Sequence, residues 1–347
     1  MKFSCLGLVT LAIAAVGCGS SGAAADRPRL EQAVRAAQHA GEVVRFGGGW
    51  KTDFSRHTVP LSEFDAGGPG KDGIPALDHP RFLEADRVRF LSAKEPVIEV
   101  VLDHQARAYP LQILIWHEIV NDRIAGTPVA VTFCPLCNTA IGFDRRIGGR
   151  TLSFGTTGNL RNSDLVMYDR QTESWWQQFG GDGVVGRYAG THLRQLPVRI
   201  VAWRDFRRAY AHGLVLSRHT GYSRPYGSNP YVGYDNVSSP PFFPARNEND
   251  HRLAPKERVV YIARGREAVA VSLTALAKRR LVEVSVGTHK FEVRFRLGVS
   301  SALDRSEISA GHDVGSVTVT EDGHPAAFTE PFWFAVAAFR PDVKVVR

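Results

Sequence analysis

VIEVVLDHQARAYPL (residues 97–111) alternates apolar and polar side chains on either side of Asp103-His104-Gln105, which predicts two short strands joined by a tight turn. The same pattern spreads outward. ILIWHEIVND follows with apolar residues at helical spacing, from Ile113 through Ile115 and Trp116 to Ile119 and Val120, and predicts a short helix. TPVAVTF reads as a buried strand, AIGFDRRIGGRTLSF as a hairpin turning at Gly148-Gly149, and LVMYDRQTESWWQQ as another turning between Asp169 and Thr172. WRDFRRAYAHG predicts a short amphipathic helix. The expected fold class is therefore α+β and β-rich, made of antiparallel hairpins with short helices.

A weak internal repeat suggests two related halves. VVLDHQARAYPL from Val100 aligns without gaps on VYIARGREAVAVSL from Val260, so that Ala108 falls on Ala268. A helical segment follows in both, and an aromatic helix beginning at Trp203 or Trp333 comes late in each. The expected organisation is a signal peptide over 1–17, a tether and short helix over 18–40, and a loop-rich segment over 41–95. A first β-rich unit over 96–216 carries the cysteine motif, an ordered connecting loop spans 217–258, and a second β-rich unit covers 259–347.

The 347 residues carry 44% hydrophobic and 22% charged side chains, a balance that supports a core. The net charge of +8 is scattered in pairs such as Arg145-Arg146, without the clustered basic surface that nucleic acid needs. Lys2, an apolar run from Leu6 to Val16 and then Gly17-Cys18 read as an export signal, since the run is too short to span a bilayer. Ala15-Val16-Gly17-Cys18 resembles a bacterial lipobox, which makes Cys18 the lipidation site and the membrane surface a partner through that anchor. The expected location is the cell envelope, on the periplasmic or extracellular side. Of the four cysteines, only Cys134 and Cys137 then remain in the folded body, in a compartment that favours disulfides.

Three chemistries suit Cys134-Pro-Leu-Cys137. Two thiolates converging after a strand resemble a metal knuckle, which needs further ligands, and His117 is the candidate third; zinc, copper and iron all fit such a set. A thiol–disulfide couple, with Cys134 attacking and Cys137 resolving, is the second, weakened because a strand and not a helix follows the motif. A disulfide staple is the third, contributing only about 1–2 kcal/mol for so short a loop. A second constellation lies in NLRNSD. Asn159, Arg161, Asn162 and Asp164 suit either a hydrogen-bonded turn or a substrate-binding wall, with Arg161 receiving an anion. GxSxG elbow, P-loop and HExxH motifs are absent from the sequence, so the familiar hydrolases and nucleotide enzymes drop out. None of these motifs fixes a reaction.

DGIPALDHP, AYPLQILIWHEIVND, TFCPLCNTAIGFDR, NLRNSDLVMYDRQTESWWQQ, GYSRPYGSNPYVGYD, LAPKERV and FWFAVAAFRPD occur in that order. Together they resemble the uncharacterised prokaryotic family called domain of unknown function 3179, over roughly residues 50–345. The resemblance implies an exported or membrane-anchored protein and carries no activity. Asn138 stands where many members have glycine, and Thr157 where a serine is usual. The reading that results is a lipid-anchored envelope protein that binds a transition metal through the cysteine pair. A thiol-redox protein and a surface binding module with a structural disulfide are its alternatives. Its other partner is a small molecule, a metal or an envelope protein.

Overall fold

The computed structural model describes residues 49–347. The expected signal, Cys18 and the short helix before residue 41 lie outside the described residues. Hairpins dominate the described chain. Leu102 pairs with Gln105, and Asp103 and His104 between them take φ of 44° and 64°. Two left-handed residues in a two-residue loop match the twist of the flanking strands, so the turn forms where the sequence pattern put it.

The fold class differs from the α+β expectation. Strand accounts for 40% and helix for 12%, arranged as a five-bladed β-propeller. Blade I holds Phe82–Glu84, Pro96–Leu102, Gln105–Pro110, Val198–Ala202 and Leu214–Leu216, and blade II holds Ile119–Ile124, Thr127–Cys134, Thr139–Asp144 and Gln195–Leu196. Blade III holds Phe64–Ala66, Phe154–Arg161, Asp164–Asp169, Trp175–Gln177 and Asp182–Val185. Blade IV is Val259–Arg264, Glu267–Ser272 and Lys344–Val346; blade V is Leu281–Val286, His289–Arg296, Ser316–Glu321 and His324–Pro325. The α-helices of the described residues, α1 (Leu111–His117), α2 (Trp203–Ala209), α3 (Leu273–Arg279) and α4 (Trp333–Phe339), have seven residues each. Two turns of helix at the end of a strand bury too little to form a layer of their own, which is why the helical periodicity misled the fold class. Helix α1 is also shorter than its apolar spacing suggests, because Ile119 and Val120 already pair with Thr132 and Val131.

Blades I and IV share a plan. Each hairpin runs into a seven-residue helix, and a much later helix returns a strand that pairs parallel with the second hairpin strand. Leu214 pairs with Arg107 in one, Lys344 with Val269 in the other. The pairing matches Asp103-His104 with Gly265-Arg266, two residues away from the gap-free sequence alignment.

Burial separates the blades. In blade II, Thr139–Asp144 is buried throughout and Thr127–Cys134 is buried after its first residue; Asp164–Asp169 in blade III is buried throughout. Strands covered on both faces need no alternation, which explains the unbroken TPVAVTF run. His289–Arg296 in blade V has exposed residues on one face and buried ones on the other. Trp175, Trp176 and Trp333 fill the spaces between elements and are fully buried.

One glycine holds the N-terminal loop against blade III. Gly158 has φ 78° at a register shift in Phe154–Arg161, and a β-carbon there would fall 2.1 Å from the Pro69 carbonyl oxygen. Gly158→Ala therefore combines backbone strain with a clash against main chain that has no rotamer to change. Its expected cost exceeds about 1 kcal/mol, read as a lower denaturant midpoint at unchanged slope.

Candidate metal centre

The CPLC motif is itself a hairpin turn. Cys134 ends one strand and pairs with Thr139 at the start of the next, leaving Pro135 to Asn138 as the loop. Asn138 takes φ 57°, a conformation open to asparagine as well as glycine, so the Asn in place of glycine is accommodated. Three contacts from outside the hairpin hold the loop. The Tyr234 phenol donates to Leu136 O at 2.9 Å, the Phe332 amide donates to Cys137 O at 2.9 Å, and Asn138 Nδ2 donates to Glu330 O at 2.7 Å.

A second hairpin faces it. Arg161 pairs with Asp164 across Asn162 and Ser163, whose φ values of 54° and 57° make another two-residue turn. This turn sets Asp164 at the start of a fully buried strand. Asp164 Oδ1 accepts from Cys137 Sγ at 2.8 Å, while Oδ2 accepts from Gln177 Nε2 at 2.5 Å and from the Phe179 amide at 2.9 Å. One oxygen is anchored and the other faces sulfur. One ligand atom each from Cys134, Cys137 and Asp164 lies within 4.8 Å of the others, and all three residues are buried.

The surroundings of this triad are polar, and the charge of Arg161 reaches Asp164 from behind Gln177. Thr139 Oγ1 lies 2.9 Å from Cys137 Sγ and donates to Gln178 Oε1 at 2.7 Å; Gln178 Nε2 in turn donates to Thr132 Oγ1 at 2.8 Å. Arg161, expected to receive an anion, is engaged by Glu63 at 2.7 Å and by Gln177 at 3.3 Å. It fixes the amide that anchors Asp164. Arg258 is turned toward Ser301 and Asp235. Burial, with nearby acids, pushes both thiols up, Cys137 far up, and burial pushes Asp164 up to about 6. Glu118, 7% exposed, is pushed up to about 8 by burial and by the charge of Asp164.

The expected ligand set changes accordingly. His117 is fully buried but is not brought to the cysteines. Its Nδ1 donates to Pro75 O at 2.7 Å and its Nε2 accepts from the Tyr226 phenol at 2.6 Å, which fixes a neutral tautomer; burial lowers its pKa to about 4. Asn159 bonds locally to Thr157, and Asn162 Oδ1 accepts from the Arg246 amide at 3.1 Å. Of the four NLRNSD candidates only Asp164 reaches the sulfurs. Cys134 and Cys137 are both free cysteines in this structure. Glu118, Gln177, Gln178 and Thr139 were not identified from sequence; the one available signal was an acid flanking His117 in a stretch of otherwise apolar residues.

A sequence profile for the family described as "Protein of unknown function (DUF3179)" matches residues 71–343, well over half the chain. The chain belongs to the DUF3179 family. The DUF3179 match contains Glu118, Cys134, Cys137 and Asp164, so the whole cluster lies within the family's span. No curated protein and no solved structure matches the chain.

The raised carboxyls carry a pH signature. Asp164 and Glu118 bind protons more tightly folded than unfolded, so in metal-free protein they contribute stability that is fully present below their unfolded values of 3.8 and 4.5 and is lost as pH rises through about 6 and about 8. Each unit of that window removes up to about 1.4 kcal/mol per titrating carboxyl. Metal-free protein should lose stability from pH 5 to pH 8 in denaturant titrations, and Asp164→Asn should flatten that slope. An equal slope in the variant would place the titration elsewhere.

Proposed function

We propose that this chain is an exported, lipid-anchored envelope protein that holds one divalent transition ion, zinc or iron(II), between Cys134, Cys137 and Asp164. The observation that carries the reading is the convergence of two thiols and a carboxylate oxygen, all buried, within 4.8 Å. Buried acids that repel one another are costly unless something positive joins them. The oxygen donor also shifts the choice of ion. Copper(I) suits sulfur ligands, whereas zinc accepts thiolate and carboxylate together.

The present contact reads as the protonated form of such a site. Cys137 Sγ and Asp164 Oδ1 share a hydrogen at 2.8 Å, while two ligands of one tetrahedral zinc ion stand about 3.5 Å apart. An ion held here would take the place of the thiol protons, with Cys134, Cys137 and Asp164 as the residues that would hold it. Asp164 has the anchoring expected of a ligand, since its second oxygen is already held by Gln177 and Phe179. Thiol exchange fits less well, because a reactive thiolate needs electropositive, accessible surroundings and both sulfurs lie at most 1% exposed among acids. The lipobox-like Ala15 to Cys18 supports the anchored location.

Elemental mass spectrometry on protein purified from the envelope without chelator should find about one equivalent of metal. The Cys134→Ser/Cys137→Ser double variant should lose it and Asp164→Asn should weaken it about 100-fold or more. His117→Ala should retain it. Absence of metal after anaerobic reduction and reconstitution with zinc or iron(II) would sink the reading.

A further inference from the structure

The first described residues fold onto blade III and leave an open depression of about 550 Å³, lined by Lys51, Asp53, Arg56, Gln171, Thr172 and Arg187. Backbone contacts build it. The Lys51 amide donates to Glu173 Oε2 at 2.6 Å and Thr52 Oγ1 donates to Glu173 O at 2.7 Å, which fixes Lys51 beside the turn that holds Gln171 and Thr172. His57 bridges to Val185, and the Gly186 amide donates to Arg56 O at 2.8 Å, which sets Arg56 opposite the residue before Arg187. Gly186 has φ 89°, and a β-carbon there would meet Ser174 at 3.0 Å, so the step into Arg187 requires glycine.

The fold leaves the three cations open. Lys51, Arg56 and Arg187 are exposed, and among the described residues none of them makes an ion pair or donates a side-chain hydrogen bond. By comparison, the exposed Arg146 and Arg194 share Asp144, and Arg208 and Arg296 share Asp205. Gln171 is engaged by Ser153, and Thr172 by Asp169. Asp53 is the one acid of the lining, and its Oδ1 accepts from the Ser55 amide at 3.1 Å and the Ser55 hydroxyl at 2.6 Å. Three cations against one acid leave the lining at +2. The position in the chain selects the occupant. Lys51 is the third described residue and follows Cys18 by 33 positions (51 − 18), a length of chain that spans at most about 120 Å.

We propose that this depression receives the phosphate of an anionic lipid headgroup in the membrane that carries the Cys18 anchor, an occupant that rests on the anchored reading above. Arg56 and Arg187 offer forked N–H donors to phosphate oxygens, and Lys51 adds a compact point charge. Asp53 opposes them and limits the charge the site attracts. The anchor then sets the distance from the bilayer, and the headgroup contact turns blade III toward it.

The test uses the full chain with Cys18→Ser, which removes the lipidation site, and sedimentation with vesicles of phosphatidylcholine alone or mixed equally with phosphatidylglycerol. The chain should partition to the anionic vesicles, less so as added salt screens the exposed charges. Lys51→Gln/Arg56→Gln/Arg187→Gln should weaken that partition about 100-fold, at about fivefold per cation. Asp53→Asn keeps an acceptor for Ser55 and should strengthen it about fivefold. The apolar run from Leu6 to Val16 is common to all these chains and both vesicles. Equal partition to the neutral vesicles, or unchanged partition of the triple variant, overturns the site. So does saturable binding of inorganic phosphate, read by calorimetry, in a chain that ignores the vesicles, since a free anion is then the occupant. Intact mass of the wild-type chain from the envelope reads the anchor separately. Cys18 without lipid overturns the anchored reading and the assigned occupant together, whereas a lipidated chain whose triple variant partitions unchanged overturns the headgroup site alone.

Discussion

The contact between Cys137 and Asp164 joins two hairpins that the chain has no local reason to bring together. Cys137 belongs to the turn of blade II and Asp164 opens a strand of blade III, and their side chains meet at 2.8 Å. Neither could stay there alone. A buried thiol has little to offer a carboxyl, and a buried carboxyl with one donor is poorly compensated. The arrangement depends on Asp164 Oδ2, which two donors from 177 and 179 hold at hydrogen-bond distance. Glu63, Arg161 and Gln177 extend the chain of contacts outward to the surface loop. Through that chain an acid in the N-terminal segment helps to position the buried Asp164 carboxylate.

The local structure was legible to different depths. Asp103-His104, Gly148-Gly149 and the turn after Asp169 could be read directly, because a two-residue or short polar turn between apolar runs leaves few alternatives. Closure into blades could not. Phe64–Ala66 pairs with Phe154–Arg161, and Val198–Ala202 pairs with Pro96–Leu102; no periodicity within either segment announces a partner so distant. The seven-residue helices illustrate the converse error. Their apolar spacing is real, but it reports packing of one short helix on a strand end and says nothing about a helical layer.

The candidate site was half legible for a related reason. A CxxC spacing identifies two sulfurs, since both are local. The third donor had to come from another hairpin, and the nearest histidine in sequence was the natural guess. His117 and Glu118 are adjacent, yet the left-handed residue that ends α1 separates their environments: the imidazole lies between Pro75 and Tyr226, and the carboxylate acts on Cys134. Asp164 was visible as part of a polar cluster, but its distinction from Asn159 and Asn162 arises only when the Asn162-Ser163 turn sets the strand's register.

Blade V tests whether the geometry at the centre is a requirement of the fold or of the chemistry. Its strand His289–Arg296 occupies the place of Thr127–Cys134 in the shared plan, and the following connection, 297–315, is long where blade II has the four-residue loop from Pro135 to Asn138. Glu118 after α1 and Arg280 after α3 both take positive φ, 57° and 66°, and the main-chain carbonyl of each accepts from a phenylalanine amide, Phe133 at 2.8 Å and Phe295 at 2.9 Å; this cap and the strand pairing persist in blade V without cysteine. Those features therefore follow from how a short helix is terminated against a sheet. What differs is the connection after the strand and the side chains, and the side-chain difference runs against stability: buried thiols and acids with raised pKa values stand where the other unit has the exposed Arg280. The fold forms without this cluster in one unit and keeps it buried in another, so the cluster is not something that the hairpin plan itself requires.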